Sequence, residues 1–113
     1  MNTPRKWIVV PTSKDAMQRL DLDQCLPGDL EELALSAEQW TALCSSDLLP
    51  SLNHALGTLI DDYEDASIQG RAALATALSI LTQTATAEDE LIHKLIALNR
   101  LALERDTGLF FYF

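Results

Sequence analysis

The chain has 113 residues, 48% of them apolar, and a formal net charge of −9 at pH 7. This length suits one domain, spanning residues 1–113, that can bury a core without disulfides or metal, and the apolar content excludes wholesale disorder. With eight basic residues against seventeen acidic ones, direct binding to nucleic acid is disfavoured.

Strands are predicted only at the two ends of the chain. KWIVV, at residues 6–10, is rich in β-branched side chains, and LFFYF, at residues 109–113, is the other candidate. Two strands alone are marginal, so we expect them to pair and to lie on helices. The first helix is predicted to begin after Thr12 or Ser13 and to run to about Leu20.

Two short helices are predicted next. The first covers GDLEELAL at residues 28–35, and the second covers AEQWTALC at residues 37–44. Ser36 suits the cap of the second helix, because Gln39 follows three residues later and completes a capping box. Trp40 lies on the face of this helix that is expected to supply inward contacts.

Three longer helices complete the prediction. They are a helix capped by Ser46 or Asp47 that ends near Gly70, a central helix from Arg71 to about Thr84, and a last helix whose N-terminus is marked by Thr86 with Asp89 and that is closed by Gly108. In the first of these, helical spacing places Leu59 on the core face. The predicted fold is therefore mainly α: a compact multi-helix bundle of about five helices with a short two-strand pair formed by the N- and C-terminal segments.

The negative charge is concentrated in one half of the chain. Between Leu20 and Gly70 there are eleven acidic residues and no Lys or Arg, whereas the rest of the chain has six acids and eight bases. A fold that keeps this half on one side therefore has a strongly negative face.

The densest point of this half is LIDDYEDA, at residues 59–66. On the predicted helix Tyr63 leans toward the core, while Asp61 and Asp65 point outward. The carboxylates repel one another near a helix C-terminus, where the helix dipole disfavours each by roughly 0.3–1 kcal/mol. A solvated face that confers solubility is one interpretation, but the lack of bases from residue 20 to residue 70 favours a docking surface for a basic partner.

The predicted partner-binding residues form this acidic surface and supply its apolar anchors. They are Asp61, Asp62, Tyr63, Glu64, Asp65, Trp40, Glu38 and Asp47. Trp40 and Tyr63 are the expected anchors, because affinity requires apolar contacts in addition to charge.

Enzyme chemistry is disfavoured by the sequence. Glu90 and His93 match the Glu-x-x-His spacing of di-iron bundles, but there is one copy and it faces solvent. His54 is interpreted as a surface residue, because nothing supplies a convergent nucleophile or oxyanion donor. We therefore expect no catalytic residues, no metal ligands and no cofactor.

The remaining signals favour a reduced, cytoplasmic protein. Cys25 and Cys44 have no CxxC spacing, so packed thiols are expected. The apolar stretch at residues 7–10 is too short for an export signal, and the uncharged run at residues 72–87 is shorter than a membrane span.

The aromatic tail GLFFYF leaves two possibilities open. Successive strand residues point to opposite faces, so Leu109 to Phe113 cannot all lie on one buried face. The tail is either buried on both sides, between helices and Trp7, or it offers a free edge for strand addition by another chain.

In size, acidity and helix content the whole chain resembles small bacterial toxin-immunity proteins, of the contact-dependent growth inhibition or nuclease-bacteriocin type. The resemblance is one of class, and LIDDYEDA, with one tyrosine, lacks the paired tyrosines of the helical nuclease-colicin immunity proteins. It implies a cytoplasmic protein, a monomer or weak dimer without membrane contact, that binds a basic toxin domain, often a nuclease. A nucleic-acid mimic or regulatory adaptor that occupies a host protein's cationic groove is the alternative, and a small metal-dependent bundle using Glu90, His93 and the acidic cluster is a third hypothesis.

Overall fold

The computed structural model describes residues 6–61 and 65–113. Its elements in chain order are β1 (Lys6–Pro11), α1 (Lys14–Asp21), β2 (Leu30–Leu35), α2 (Ala37–Ser45), α3 (Leu48–Leu56), β3 (Asp65–Gln69), α4 (Arg71–Thr84), α5 (Glu90–Arg105) and β4 (Gly108–Tyr112). The radius of gyration is 13.5 Å, which is close to the roughly 13 Å expected for one compact domain of about 100 residues.

The strands form one antiparallel sheet in the order β2-β1-β4-β3. Ile8 lies opposite Leu33 on one side and Phe111 on the other, and Phe111 in turn lies opposite Ala66. The prediction of a mainly α bundle with a two-strand pair is therefore wrong, because a four-stranded sheet lies against the helices. β4 is bonded to β1 and to β3, so the aromatic tail does not offer a free edge.

The segment predicted as the helix GDLEELAL is strand β2. Leu, Glu and Ala favour helices in isolation, but all six residues of β2 pair with β1. This register buries Leu35 and packs Leu33 against the core. Long-range pairing and side-chain burial outweigh the local preference.

Helix α3 ends at Gly57 and not near Gly70. Gly57 has a φ of 65°, a left-handed conformation that glycine adopts without steric cost, and its amide closes the helix on the carbonyl of Asn53. Asp61 consequently lies in a loop, and Asp65 begins strand β3. Asp62, Tyr63 and Glu64 lie outside the described residues.

Helix α5 is capped by Asp89 and not by Thr86 as predicted, and it ends two residues before the predicted cap Gly108. The Asp89 side chain accepts a hydrogen bond from the amide of Ile92, and the helix closes at Asp106, which has a φ of 55°. Gly108 begins β4 instead. A Cβ at this position would lie 2.9 Å from the carbonyl oxygen of Ile68, so glycine permits the close approach of β3 and β4.

One face of the sheet carries the main core. Helices α4 and α5 pack on it, with α3 against α4 and α2 against α3. The core combines alternate strand residues with leucine and isoleucine side chains of the helices; among its members are Ile8, Val10, Ile68, Leu109, Phe111, Leu52, Leu74, Leu81 and Leu95.

The opposite face of the sheet has a separate, smaller cover. Val9, Pro11 and Ala16 are buried but do not belong to the main core cluster, and α1 contacts β1. Helix α1 begins at Ser13, whose side chain accepts a hydrogen bond from the amide of Ala16. It therefore covers the second face near the end of β1.

Candidate functional site

The loop that follows α3 is fixed by one side chain. Asn53 Nδ2 donates to the carbonyl oxygen of Ile60 at 3.0 Å, and Asn53 Oδ1 accepts from the amide of Ile60 at 2.8 Å. Thr58 Oγ1 also donates to Asn53 Oδ1, at 2.8 Å. The Asn53 amide thus reproduces the hydrogen bonds of a backbone partner and ties the loop to the helix.

This clamp forces one leucine into solvent. Ile60 is inserted into the core and is 2% exposed, whereas its neighbour Leu59 is 80% exposed. The prediction that Leu59 lies on the core face of a helix is wrong, because the helix has already ended at Gly57. A large apolar side chain carried by a fixed backbone is a preformed contact, since little backbone conformational entropy remains to be lost on binding.

Leu59 borders an open groove of about 500 Å³. The groove is lined by the exposed end of the clamped loop, by one side of α3 and by the C-terminal part of α2; its residues are Cys44, Leu49, Pro50, Asn53, Leu59, Ile60 and Asp61. Asp61 is exposed at its rim. The arrangement combines an apolar surface, an exposed leucine and a carboxylate, which suits contact with a protein surface.

The structure does not bring the whole predicted acidic cluster together. Asp61 lines the groove beside α3, whereas Asp65 lies opposite Tyr112 in the sheet, on the face away from the main core. These two carboxylates belong to different surfaces. The predicted partner contacts Asp62, Tyr63 and Glu64 lie outside the described residues.

Trp40, predicted as an apolar anchor, has contacts within the fold. Its ring meets Phe113 edge-on with centroids 4.8 Å apart, and Lys6 Nζ lies 4.5 Å from the Trp40 centroid. Lys6 Nζ also donates to the carbonyl oxygen of Phe113 at 3.1 Å. The ring fixes α2 to the end of the sheet, and partner contact through its exposed part stays a prediction.

Glu38 and Asp47 are both exposed. Glu38 lies in the first turn of α2, and Asp47 precedes α3 without bonding its amides through the side chain. Glu38 and Asp89 also border a second groove, of about 220 Å³. Contact of Glu38 and Asp47 with a partner stays a prediction.

The described residues offer little to metal or thiol chemistry. Across residues 6–61 and 65–113 no group of three or more His, Cys, Asp or Glu side chains is placed to hold a metal ion. His93 Nε2 lies 2.8 Å from the carbonyl oxygen of Thr86, which ties the ring to the start of α5. Cys25 and Cys44 are exposed, so the prediction of packed thiols is wrong. Partial desolvation and then the charge of Asp29 raise the pKa of the Cys25 thiol, which disfavours the reactive thiolate.

Sequence reasoning missed both Asn53 and the exposure of Leu59. The signal that could have located them is Gly57, because glycine after a leucine-rich helical segment is a stop signal. Ending the helix there would have removed Leu59 from the predicted core face. The hydrogen bonds of Asn53 have no sequence signature, since they depend on where the loop returns.

Two general findings complete the description. No helix within the described ranges has both the length and the apolar character needed to cross a membrane. Searches against protein-family models, curated proteins and solved structures find nothing that matches this chain.

Proposed function

We propose that this chain is a non-catalytic acidic binding protein, an inhibitor of the immunity type that neutralises a basic toxin domain by direct contact in the cytoplasm. The observation that carries the proposal is Leu59, 80% exposed in a loop that Asn53 holds in place. Protein interfaces gain most of their affinity from a few side chains that become fully buried inside a polar rim.

The charge around this anchor defines the kind of partner. Asp61 adjoins Leu59 in the groove, and no Lys or Arg occurs between residues 20 and 70. Carboxylates at the rim attract a cationic surface and accelerate encounter, and they repel acidic proteins. A basic toxin domain, such as a nuclease with a positive nucleic-acid surface, has the complementary charge.

The same anchor favours this function over mimicry of nucleic acid. A mimic has to reproduce spaced negative charges that a cationic groove recognises. Leu59 contributes no charge, and its side chain would remain in water or meet basic side chains in such a groove. An apolar residue at the centre of the contact is typical of ordinary protein recognition.

The test uses the basic protein that copurifies with the full chain from its source organism, produced separately in pure form. Leu59→Ser should raise the Kd about tenfold or more, because burying a leucine contributes roughly 1.5–3 kcal/mol. Asp61→Lys should mainly lower the association rate, with an effect that shrinks as salt is added. Calorimetry and stopped-flow measurements give the two quantities.

Ala75→Ser on the exposed side of α4 is the matched control and should leave the Kd unchanged. Cells that produce the partner should grow when the wild-type chain is coexpressed and should grow poorly with Leu59→Ser. An unaltered Kd for both loop variants, or equal protection by them, would contradict the proposal.

A further inference from the structure

The sheet face away from the main core carries an aromatic row. Trp7 lies opposite Ala34 in β2 and opposite Tyr112 in β4, and Tyr112 lies opposite Asp65 in β3. Residues paired across antiparallel strands point to the same side of the sheet. One row on this face therefore crosses all four strands and consists of Ala34, Trp7, Tyr112 and Asp65.

The neighbouring row has the same character. Val9 lies opposite Glu32 and Phe110, and Phe110 lies opposite Ser67. Val9 is buried near α1, but Phe110, like Trp7 and Tyr112 in the first row, is only partly buried and is not part of the main core cluster. Three aromatic side chains thus keep some exposure on one sheet face.

A rigid loop extends this aromatic surface. Asp29 is buried and receives hydrogen bonds from Arg19 Nε and Nη2, both at 2.7 Å, and from the amide of Leu26 at 2.8 Å. The loop that this clamp fixes, residues 22–28, leaves Leu22 56% exposed and Leu26 57% exposed. Apart from Leu59, these are the large apolar side chains most exposed in the described part of the chain.

The loop lies beside the aromatic row. The loop follows directly from α1, which covers this same face of the sheet near the end of β1. At its other end Thr12 Oγ1 donates to the carbonyl oxygens of Gly28 and Asp29, at 3.0 and 3.1 Å. The two leucines and the three aromatic rings are therefore on the same side of the sheet, and we call this side the aromatic face; its apolar members are Trp7, Phe110, Tyr112, Leu22 and Leu26.

Carboxylates surround the aromatic face. Asp21 and Asp23 lie at the start of the loop, Glu32 lies on β2, and Asp65 lies on β3, all of them exposed. Of the two bases nearest to its members in the sequence, Arg19 is engaged by Asp29, and Lys6 by the carbonyl of Phe113 and the ring of Trp40. Apolar anchors surrounded by charge of one sign are the composition of a protein-binding surface.

We propose that the aromatic face docks a cationic protein segment that carries aliphatic side chains between its Lys or Arg residues. The aliphatic side chains contact the aromatic rings and the two leucines, and the basic groups reach the four carboxylates. A second copy of this chain fits poorly, because a two-fold contact would set the same carboxylates against one another. The inference goes beyond the proposed function, because it concerns a different surface from the Leu59 groove.

The experiment uses a synthetic peptide of alternating Lys and Leu and the full chain with the substitution Trp40→Phe, which leaves Trp7 as the single tryptophan. Titration should shift Trp7 emission to shorter wavelength with saturation, because the peptide removes water from the ring. In the converse variant Trp7→Phe, Trp40 reports from the other side of the sheet and its emission should stay unchanged. An equal response from Trp40 would overturn the proposal.

Matched loop variants separate this surface from the Leu59 groove. The pair Leu22→Ser and Leu26→Ser should raise the peptide Kd about tenfold, because two apolar anchors are lost. Leu59→Ser should leave that Kd unchanged. If Leu59→Ser raised the peptide Kd and the pair Leu22→Ser and Leu26→Ser did not, the peptide would lie in the Leu59 groove. That result would overturn this inference and leave the proposed function standing.

Three further measurements keep the test decisive if a tryptophan variant folds poorly. In the unsubstituted chain, methyl signals of Leu22 and Leu26 should move on titration while that of Leu59 does not. A peptide of alternating Lys and Ser should bind much more weakly, and equal binding would reduce the contact to charge alone. Sedimentation without peptide should show no self-association. A dimer that Leu22→Ser disrupts would make a second copy the occupant and would overturn the proposal.

Discussion

Two loops of this protein hold leucine side chains in water, and they are fixed by opposite kinds of chemistry. The loop at residues 22–28 is held by the ionised carboxylate of Asp29 and the guanidinium of Arg19. The loop at residues 57–61 is held by the neutral amide of Asn53. In both, a polar side chain satisfies loop backbone groups and so leaves the leucines no route into the core.

The difference between the clamps lies in their dependence on solution conditions. Pairing with Arg19, and then the bond from the Leu26 amide, lower the pKa of Asp29 from 3.8 to about 2. The Asn53 amide does not titrate, so its hydrogen bonds are the same at every pH. The first clamp responds to acid and the second does not.

The largest expected effect comes from Asp29→Asn. An amide cannot accept both Arg19 bonds, so the loop at residues 22–28 loses its charged centre. Because the native pKa is lowered, the stabilisation by the carboxylate is complete above the ordinary value of 3.8 and is lost as pH falls through about 2. Urea unfolding should show a large deficit in the variant at pH 6 that closes toward pH 2.

The matched control for this prediction is Asp21→Asn, since Asp21 is exposed at the end of α1. It should change the free energy of unfolding far less than Asp29→Asn. A deficit in Asp29→Asn that stays constant from pH 6 to pH 2 would show that the carboxylate charge does not hold the loop.

Asn53→Ala should have the next largest effect. It removes three hydrogen bonds and leaves the amide and carbonyl of the buried Ile60 without their partner. Unsatisfied buried groups of this kind cost about 1–3 kcal/mol in the free energy of unfolding. Denaturation at pH 3 and pH 7 should give the same loss, in contrast to the variant of Asp29.

Limited proteolysis sharpens the same comparison. Asn53→Ala should expose the loop at residues 57–61 to cleavage and leave the loop at residues 22–28 intact. Cleavage in both loops would indicate that the clamps are coupled, and cleavage in neither would show that Asn53 is not needed to hold Leu59.

A smaller effect of opposite sign is expected from Asn99→Leu. Asn99 is fully buried on α5, and within the described residues its amide nitrogen and oxygen have no hydrogen-bond partner. An apolar side chain of the same branched shape removes that cost, so the free energy of unfolding should rise by about 1 kcal/mol. Thermal unfolding measures it, and a destabilised variant would reveal a partner for Asn99, such as a buried water.

The parts of the fold that the sequence predicted depend on local chemistry. Ser13 begins α1, and the box of Ser36 and Gln39 begins α2; both act through hydrogen bonds within three residues. Asp89, which the prediction placed in the first turn after a Thr86 cap, is itself the cap of α5 and acts through a bond of the same kind. Such capping signals do not depend on the rest of the chain, so a helix start can be predicted from a few neighbouring residues.

The errors concern contacts between distant residues. β2 is a strand because it pairs with β1, and β3 is a strand because it pairs with β4. The local preferences of LEELAL favour a helix, and no residue near this segment in the sequence indicates its partner strand. The aromatic face could not be predicted for the same reason, because Trp7 and Tyr112 become neighbours only through the sheet.

The central position of β4 has a consequence for how the chain folds. Lys6 Nζ and the Phe113 carbonyl are bonded across 107 residues, and Thr107 Oγ1 reaches the Pro11 carbonyl across 96. Among the described strands, β3 is bonded to β4 alone. During synthesis β1 and β2 can pair early, whereas β3 has no partner strand until β4 has been made. Pairing of β4 with β1 closes a loop of the same great length, which makes this step slow.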